Sequence, residues 1–251
     1  MHNDKRNSVL IALFQISFLI NLSLLSTFLV AEQITIVADE WAPYNGEPNS
    51  AEPGYGIEIA ERVFEAEGHS VAYKIVPWNR AIKETRKGEY NAIIGALKDD
   101  APDFVFPDEE FGVSVNAFFV KKGNTWEFEG TESLLTTKVG LIKDYSYGEE
   151  LDAFFKANKK VAKYVHGGTP LSSNIKKLLA GRVDVLVEDA NVLLQKAKSM
   201  GVSEQIIKAK SKQNTADSRI YIAFSPNNAK STEYAGLLTQ GIRKLKASGE
   251  L

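Results

Sequence analysis

Few side chains in this sequence are spaced for catalysis. The three histidines, His2, His69 and His166, are scattered, and the sequence has no cysteine. No nucleophile lies next to a base, and no set of metal ligands has a recognisable spacing. Glu188 and Asp189 end a predicted strand, where one of them could act as a general acid. We predict a binding protein rather than an enzyme, with no cofactor and no metal.

Two polar loops are placed to bind an anion. Ser146, Tyr147 and Gly148 precede a predicted helix, and free N–H groups at a helix amino terminus can hold a carboxylate. Thr169 stands before Pro170 at the start of another predicted helix. Simple helix caps would explain Ser146 and Thr169 equally well.

Composition excludes several classes of protein. The chain has 251 residues, of which 44% are hydrophobic, so it is neither disordered nor collagen-like. Lys plus Arg number 30 against 32 Asp plus Glu, a net charge of -2, so no general attraction to nucleic acid or to anionic membranes is expected. Without cysteine there can be no disulfide and no lipidated cysteine.

The first 31 residues resemble an export signal. Lys5 and Arg6 precede an apolar run from Val9 to Val30, and Ala31 is a small residue before Glu32. We predict a cleaved signal peptide over residues 1–31 and a periplasmic protein that is not a lipoprotein. The apolar run is long enough to span a bilayer, so an uncleaved membrane anchor is the alternative.

Beyond Glu32 the chain alternates strand-like and helix-like stretches, most of the helical ones closed by glycine. Such alternation is typical of parallel strands with crossover helices, and it predicts two α/β lobes. Strands are predicted at 34–38, 71–76, 91–96, 116–122, 138–142, 161–165, 184–188 and 218–224. Helices are predicted at 55–67, 78–87, 149–157, 170–181, 190–200 and 229–247.

Six short motifs occur in the order found in one known family. They are Trp41-Ala42-Pro43-Tyr44, the segments 54–59 and 87–95, Val139-Gly140 with 145–148, the segment 179–184 ending at Asp189, and the segment 220–224. With these motifs the chain resembles bacterial solute-binding protein family 3, the periplasmic receptors for polar amino acids that serve ABC importers. The resemblance covers nearly all of residues 33–248.

The resemblance implies a type II periplasmic binding fold, in which two α/β lobes are joined by two strands and the second lobe is inserted in the first. It places lobe 1 at 32–120 and 216–251, lobe 2 at 121–215, and the crossings near 118–122 and 213–220. It also implies a monomer that closes around a small polar solute, an amino acid or a related compound, and delivers it to a membrane permease.

The resemblance also suggests residues that bind the solute. A zwitterionic amino acid needs a cation or amides for its carboxylate, an anion for its ammonium group and apolar walls around both. Trp41 and Tyr44 match the family's aromatic wall, Asp189 its ammonium-binding aspartate, and the loop at 146–148 its carboxylate-binding loop. Packing would explain the two aromatic residues equally well, and a helix cap would explain Asp189.

One departure from the family concerns the residue that would bind the carboxylate of the solute. The family places an arginine after the third strand, but no arginine occurs between Lys87 and Lys138, and an acidic loop at 99–103 stands there instead. The nearest cations are Lys98 and Arg80, of which we favour Arg80 as the ligand-binding residue. The acidic loop fits equally well with a ligand that is cationic or is not an α-amino acid.

Two other functions are open on the same fold. One is a sensory domain that reports its ligand to a partner protein, which an uncleaved amino-terminal anchor would favour. The other is an enzyme similar to the cyclohexadienyl dehydratases, with Glu188 or Asp189 as its acid.

Overall fold

The computed structural model of the chain describes residues 31–212 and 217–251, so the predicted signal peptide lies almost entirely outside the described residues. Within those ranges no helix has the length and apolar character needed to cross a membrane. The helices are α1 (Tyr55–Ala66), α2 (Trp78–Arg86), α3 (Glu149–Ala157), α4 (Pro170–Leu179), α5 (Ala190–Ser199) and α6 (Ser231–Ser248). The strands are β1 (Gln33–Ala38), β2 (Ser70–Ile75), β3 (Ala92–Ala96), β4 (Gly112–Lys121), β5 (Val139–Ile142), β6 (Ala162–Val165), β7 (Val185–Asp189), β8 (Ile206–Lys208) and β9 (Asp217–Phe224).

The strands form two parallel groups with the same internal order. The complete order is β2-β1-β3-β9-β4-β7-β5-β6, and β8 pairs with β4. In the first group β1 lies between β2 and β3, and in the second β5 lies between β6 and β7. We call the first group with β9, α1, α2 and α6 the first lobe, and the second group with β8, α3, α4 and α5 the second lobe. The prediction of an α/β fold is confirmed.

Strand β4 belongs to both lobes. Its segment 112–115 pairs antiparallel with β9, and its segment 116–119 pairs antiparallel with β7. The partner therefore changes between Val115 and Asn116. The exact lobe boundaries given above stay a prediction.

Amphipathic elements bury apolar residues in two clusters, one with residues of both lobes and one with residues of the second lobe. In α1 the stripe Ile57, Ala60 and Phe64 is fully buried, as its helical spacing predicts. In the second lobe the rings of Phe118 and Phe128 stack with centroids 4.0 Å apart.

Two strand features differ from the sequence-based prediction. Strand β4 begins at Gly112, four residues before the predicted start at 116, because the segment 112–115 pairs with β9 of the first lobe. Strand β8 was not predicted, since three residues are too few for a visible period. Neither difference moves a helix or a strand end that faces the space between the lobes.

Gly54 is required by the loop that carries Trp41. Its φ is 107°, and an added Cβ would lie 2.6 Å from both the Tyr44 carbonyl oxygen and the Asn45 Cα. These are backbone atoms that cannot move aside, so Gly54→Ala is expected to lower the free energy of unfolding by about 2 kcal/mol or more. Chemical denaturation measures this loss.

Gly236, within α6, supplies the matched control. An added Cβ there meets no atom outside its own helix within 4 Å. Gly236→Ala is expected to raise the free energy of unfolding by roughly 0.5–1 kcal/mol, because alanine restricts the unfolded chain and favours helix. Equal effects of the two substitutions would contradict the role given to Gly54.

Candidate functional site

The two lobes enclose a cavity at the carboxyl ends of their parallel strands. It contains about 540 Å³ of space free of protein atoms, its opening to solvent included. Its lining includes Asp39 after β1, Asp100 after β3, Tyr145 after β5 and Glu188 at the end of β7. Loops at these strand ends meet at one edge, which is where open α/β sheets commonly bind ligands.

Aromatic side chains form much of the wall. Trp41, Trp78, Tyr145 and Tyr147 all line the cavity. Trp78 and Tyr145, which come from different lobes, pack edge to face with centroids 6.2 Å apart. Large rings that meet across a cleft offer flat, weakly polar surfaces to a ligand and exclude water from its charged groups.

The lobes are joined across the cavity by polar contacts. In each of them a donor from one lobe meets a carboxylate of the other, and such contacts can exist only while the lobes are close together. They are Tyr145 Oη to Asp39 Oδ2 at 2.7 Å, Trp41 Nε1 to Glu188 Oε1 at 2.9 Å, Tyr44 Oη to Asp189 Oδ2 at 3.0 Å and Lys196 Nζ to Glu40 Oε1 at 2.6 Å. The structure therefore shows the closed arrangement of the lobes.

Three carboxyl groups face the cavity, and burial alters the pKa of each. Glu188 is 2% exposed, and loss of hydration raises its pKa to about 8. Asp39 is 3% exposed, and the same cause raises its pKa to about 7 against the opposing hydrogen bond from Tyr145. Burial also raises the pKa of Asp100 to about 7, although the Leu97 N–H donates to this carboxyl at 2.8 Å. All three groups thus exchange protons near neutral pH.

Two acceptor atoms of the lining have no hydrogen-bond partner among the described residues. Glu188 Oε1 accepts from Trp41 and from the Asp189 N–H, but Glu188 Oε2 accepts from none. Asn45 is fully buried, and its amide NH₂ donates to the Asp39 carbonyl and to the Tyr73 hydroxyl, whereas its Oδ1 is also unpaired. Buried acceptors without donors are uncommon and mark places where a ligand or water binds.

No lysine or arginine lines the cavity within residues 31–212 and 217–251. The same described part of the chain contains no cluster of three His, Asp or Glu arranged to hold a metal ion. The cavity is therefore acidic and aromatic.

The loop before α3 binds a carboxylate of the protein itself. Ser146 Oγ donates to Asp152 Oδ2 at 2.7 Å, and the Tyr147 N–H donates to Asp152 Oδ1 at 3.0 Å. Asp152 lies in the first turn of α3, so the helix fills its own anion-binding position. Gly148 is the residue before the helix, with φ 94°, and is not part of the cavity lining.

Tyr44 and Asp189 lie together behind the cavity wall, where both are buried. Asp189 Oδ1 accepts from the N–H groups of Asn191 and Val192 and so caps α5. Its Oδ2 accepts from the Tyr44 hydroxyl, the Ser114 hydroxyl at 2.9 Å and the Val115 N–H at 3.0 Å. In this arrangement both oxygens of Asp189 are used inside the protein.

Arg80 and Thr169 lie outside the cavity lining. The Arg80 side chain is 64% exposed and donates to Glu84 one helical turn later, at 2.6 Å. Thr169 is exposed and precedes α4 without a side-chain hydrogen bond to the helix. Of the eight predicted site residues, the structure places Trp41, Ser146 and Tyr147 in the lining and the other five elsewhere.

The acidic lining was largely missed by reasoning from the sequence. Asp39 directly follows a predicted strand, which is a usable signal because strand ends converge at one edge. In the sequence Asp100 stands out only as part of an acidic loop, and Glu188 only as a possible general acid. Trp78, which begins the same helix as Arg80, was not predicted as a site residue, and the structure places it in the cavity lining.

Comparison with known proteins shows the fold. No protein family model matches the chain, and no curated protein sequence is significantly similar to it. Several solved structures are similar at low sequence identity. One is a histidine kinase sensor domain with similarity to periplasmic binding proteins, at 16% identity over 87% of this chain and 92% of that one, with a TM-score of 0.70. Another is an amino acid ABC transporter substrate-binding protein from Streptococcus pneumoniae bound to L-arginine, at 17% identity over 87% of this chain and 90% of that one, with a TM-score of 0.69. A third is an ancestral arginine-binding protein bound to arginine, at 19% identity over 86% of this chain and 93% of that one, with a TM-score of 0.68.

The chain thus has the type II periplasmic binding protein fold, as the resemblance to solute-binding protein family 3 implied. Most of the similar proteins named are binding proteins for small molecules. At identities below one fifth this likeness describes the fold and leaves the ligand open.

Proposed function

We propose that this protein is a periplasmic solute-binding receptor that captures one small polar solute between its lobes and delivers it to an ABC importer. The observation that carries the proposal is the set of donor–carboxylate contacts that join the lobes around an aromatic and polar cavity. In this proposal the signal peptide is cleaved, and the receptor acts as a monomer that meets a membrane permease in its closed form.

Binding and closure are coupled in such a receptor. A solute stabilises the closed form only through contacts that the open form lacks, and here the lining comes from both lobes. Trp41 is the proposed wall against which the solute packs, and Ser146 and Tyr147 are its proposed polar neighbours. Tyr44, Gly148 and Asp189 adjoin this lining, and their contact with solute stays a prediction, as it does for Arg80 and Thr169.

A ligand screen tests the proposed function. The purified protein is unfolded and refolded once to remove any bound solute, and its melting temperature is then measured with amino acids, amines, organic acids, sugars and short peptides. One chemical class is expected to raise the melting temperature by several degrees, since a ligand that binds only the folded form stabilises it by mass action. Solution X-ray scattering is expected to show a smaller radius of gyration with that ligand than without it.

A sensory domain is the second candidate, because one of the similar structures is the sensor domain of a histidine kinase. The two functions differ in how the amino terminus is processed. A receptor for an importer is expected to begin near Glu32 after cleavage, whereas a membrane-anchored sensor keeps its apolar segment. Amino-terminal sequencing of the protein isolated from cells distinguishes the two.

A further inference from the structure

We infer that the solute is a small organic cation that carries ammonium or guanidinium N–H groups and has no carboxylate. The inference rests on the proposed function, since it names the class of solute for the same cavity. Four features of the described residues support it.

The first feature is the sign of the charge around the cavity. Asp39 and Asp100 come from the first lobe and Glu188 from the second, so a cation between them would attract both lobes at once. Within the described residues no lysine or arginine of the lining offsets these acids. Asp39 and Glu188 are 3% and 2% exposed, so the attraction between a cation and these carboxylates is stronger than at a protein surface.

The second feature is the pair of unpartnered acceptors. Glu188 Oε2 and Asn45 Oδ1 both belong to buried lining residues. The amide oxygen of Asn45 can only accept hydrogen bonds, and the same holds for Glu188 Oε2 while Glu188 is ionised. A ligand that brings N–H donors removes the cost of leaving them unpaired. A quaternary ammonium ion carries no such donors, so the pair favours primary amines, amidines or guanidines.

The third feature is the aromatic surface. Trp41, Trp78 and Tyr145 line the cavity beside the carboxyl groups. The face of an aromatic ring attracts a cation, most strongly for tryptophan. The rings also pack against the apolar carbon chain of an amine, so that its charged end meets the acids and its methylene groups meet the walls.

The fourth feature is that the two places predicted to bind a ligand carboxylate, the loop before α3 and Arg80, both hold carboxylates of the protein itself. The amino-terminal loop of α3 already holds the Asp152 carboxylate through Ser146 and the Tyr147 N–H. Arg80, the predicted cation for a carboxylate, is exposed and paired with Glu84. No lysine or arginine of the described lining would offset a ligand carboxylate beside Asp39, Asp100 and Glu188, and once these acids are ionised, like charges brought together in this way cost several kcal/mol.

The proton affinities of the three acids agree with this geometry. Burial raises the pKa of Asp39 and Asp100 to about 7 and that of Glu188 to about 8. A bound cation favours the ionised carboxylates, so binding near pH 7 is expected to release protons. Calorimetry in buffers of different ionisation enthalpy detects that release.

The test uses pairs of solutes that differ only by a carboxylate. Putrescine is compared with ornithine, cadaverine with lysine and agmatine with arginine, and choline is added as a cation without N–H donors. Binding is measured by calorimetry at pH 8 on the refolded protein. At least one amine is expected to bind on the order of 100-fold more tightly than its carboxylated counterpart.

Variants locate the bound cation. Glu188→Gln keeps the shape of the side chain and removes its charge, and it is expected to weaken amine binding on the order of 100-fold. Asp39→Asn serves as a second variant with the same expectation, in case the first does not fold. Glu204→Gln is the matched control, because that side chain is 95% exposed on the surface, and it is expected to leave the affinity unchanged.

Each outcome of this test is decisive. Equal or tighter binding of ornithine, lysine or arginine overturns the inference and leaves the receptor function intact, as does binding of neutral or acidic solutes alone. Unchanged amine affinity in both Glu188→Gln and Asp39→Asn also overturns it. If no solute of any class binds to the folded protein, the proposed function fails together with the inference.

Discussion

Replacing Asp189 by alanine is expected to lower the melting temperature of the protein by on the order of 10 °C. The buried carboxylate accepts hydrogen bonds from the backbone of Asn191 and Val192, from the Ser114 hydroxyl, from the Val115 N–H and from the Tyr44 hydroxyl. Alanine would leave most of these donors without an acceptor, and each such loss costs about 1–3 kcal/mol. The cap of α5 would be lost as well.

Asp184→Ala is the matched control for this prediction. Asp184 is partly exposed and accepts one hydrogen bond, from the Lys138 N–H at 2.8 Å. Its replacement is expected to cost about 1 kcal/mol. Thermal denaturation followed by circular dichroism compares the two variants, and a similar small loss for both would contradict the structural role of Asp189.

Asp189→Asn separates the two roles considered for this residue. The amide keeps one oxygen for hydrogen bonds and is expected to fold, so its affinity for solute can be measured. A strong loss of affinity would support the ammonium-binding role that the family resemblance suggests. Unchanged affinity would leave Asp189 as a helix cap and a link between the lobes.

Without ligand, the protein is expected to become less stable as the pH rises from 5 to 8. The pKa values of Asp39, Asp100 and Glu188 in the folded protein, about 7, 7 and 8, lie above the ordinary values of 3.8 and 4.5. The folded protein therefore holds more protons than the unfolded chain across this window, so its free energy of unfolding falls as the pH rises. The melting temperature is expected to drop by on the order of 10 °C between pH 5 and 8.

Neighbouring groups act on the pKa of Glu188 in both directions. Asp189 on its own strand and Asp39 from the first lobe oppose its ionisation, while the hydrogen bond from Trp41 favours it. Burial raises the pKa values of Tyr145 and Tyr147 well above 10, so these residues stay neutral throughout.

Asp103 titrates below the window from pH 5 to 8. The hydrogen bond from Arg86 lowers the pKa of Asp103 below its ordinary value of 3.8. The stability that this ion pair contributes is therefore lost only in acid.

Glu188→Gln tests the cause of the expected loss of stability between pH 5 and 8. Glutamine resembles the protonated carboxyl group, so the variant is expected to match the unsubstituted protein at pH 5 and to melt roughly 5 °C higher at pH 8. Melting temperatures at pH 5, 6, 7 and 8 provide the measurement. Parallel curves for the two proteins would show that Glu188 does not carry the effect.

The order of helices and strands could be predicted because it depends on local patterns. The apolar stripe of α1 and the glycines after the helices are visible in the sequence, and the structure has elements at these positions. The position of Arg80 could have been predicted in the same way. Trp78, Ala81, Ile82 and Thr85 form the buried face of α2, and helical spacing places Arg80 on the opposite side.

The composition of the cavity depended on the tertiary structure. Glu188 and Asp189 are neighbours at the end of β7, and successive side chains of a strand point to opposite faces, so the sequence alone does not tell which one meets the cavity. Asp39, Asp100 and Glu188 are far apart in the chain and come together only when both lobes fold and close. The use of the α3 loop by Asp152 likewise appears only in three dimensions.

The sequence by itself thus determined the α/β elements, because periodicity encodes them, and the family resemblance implied the aromatic wall that contains Trp41. The tertiary structure decided the charge of the site. Electrostatic character depends on which side chains converge within a few ångströms and lose their hydration, and that convergence is a property of the folded chain alone.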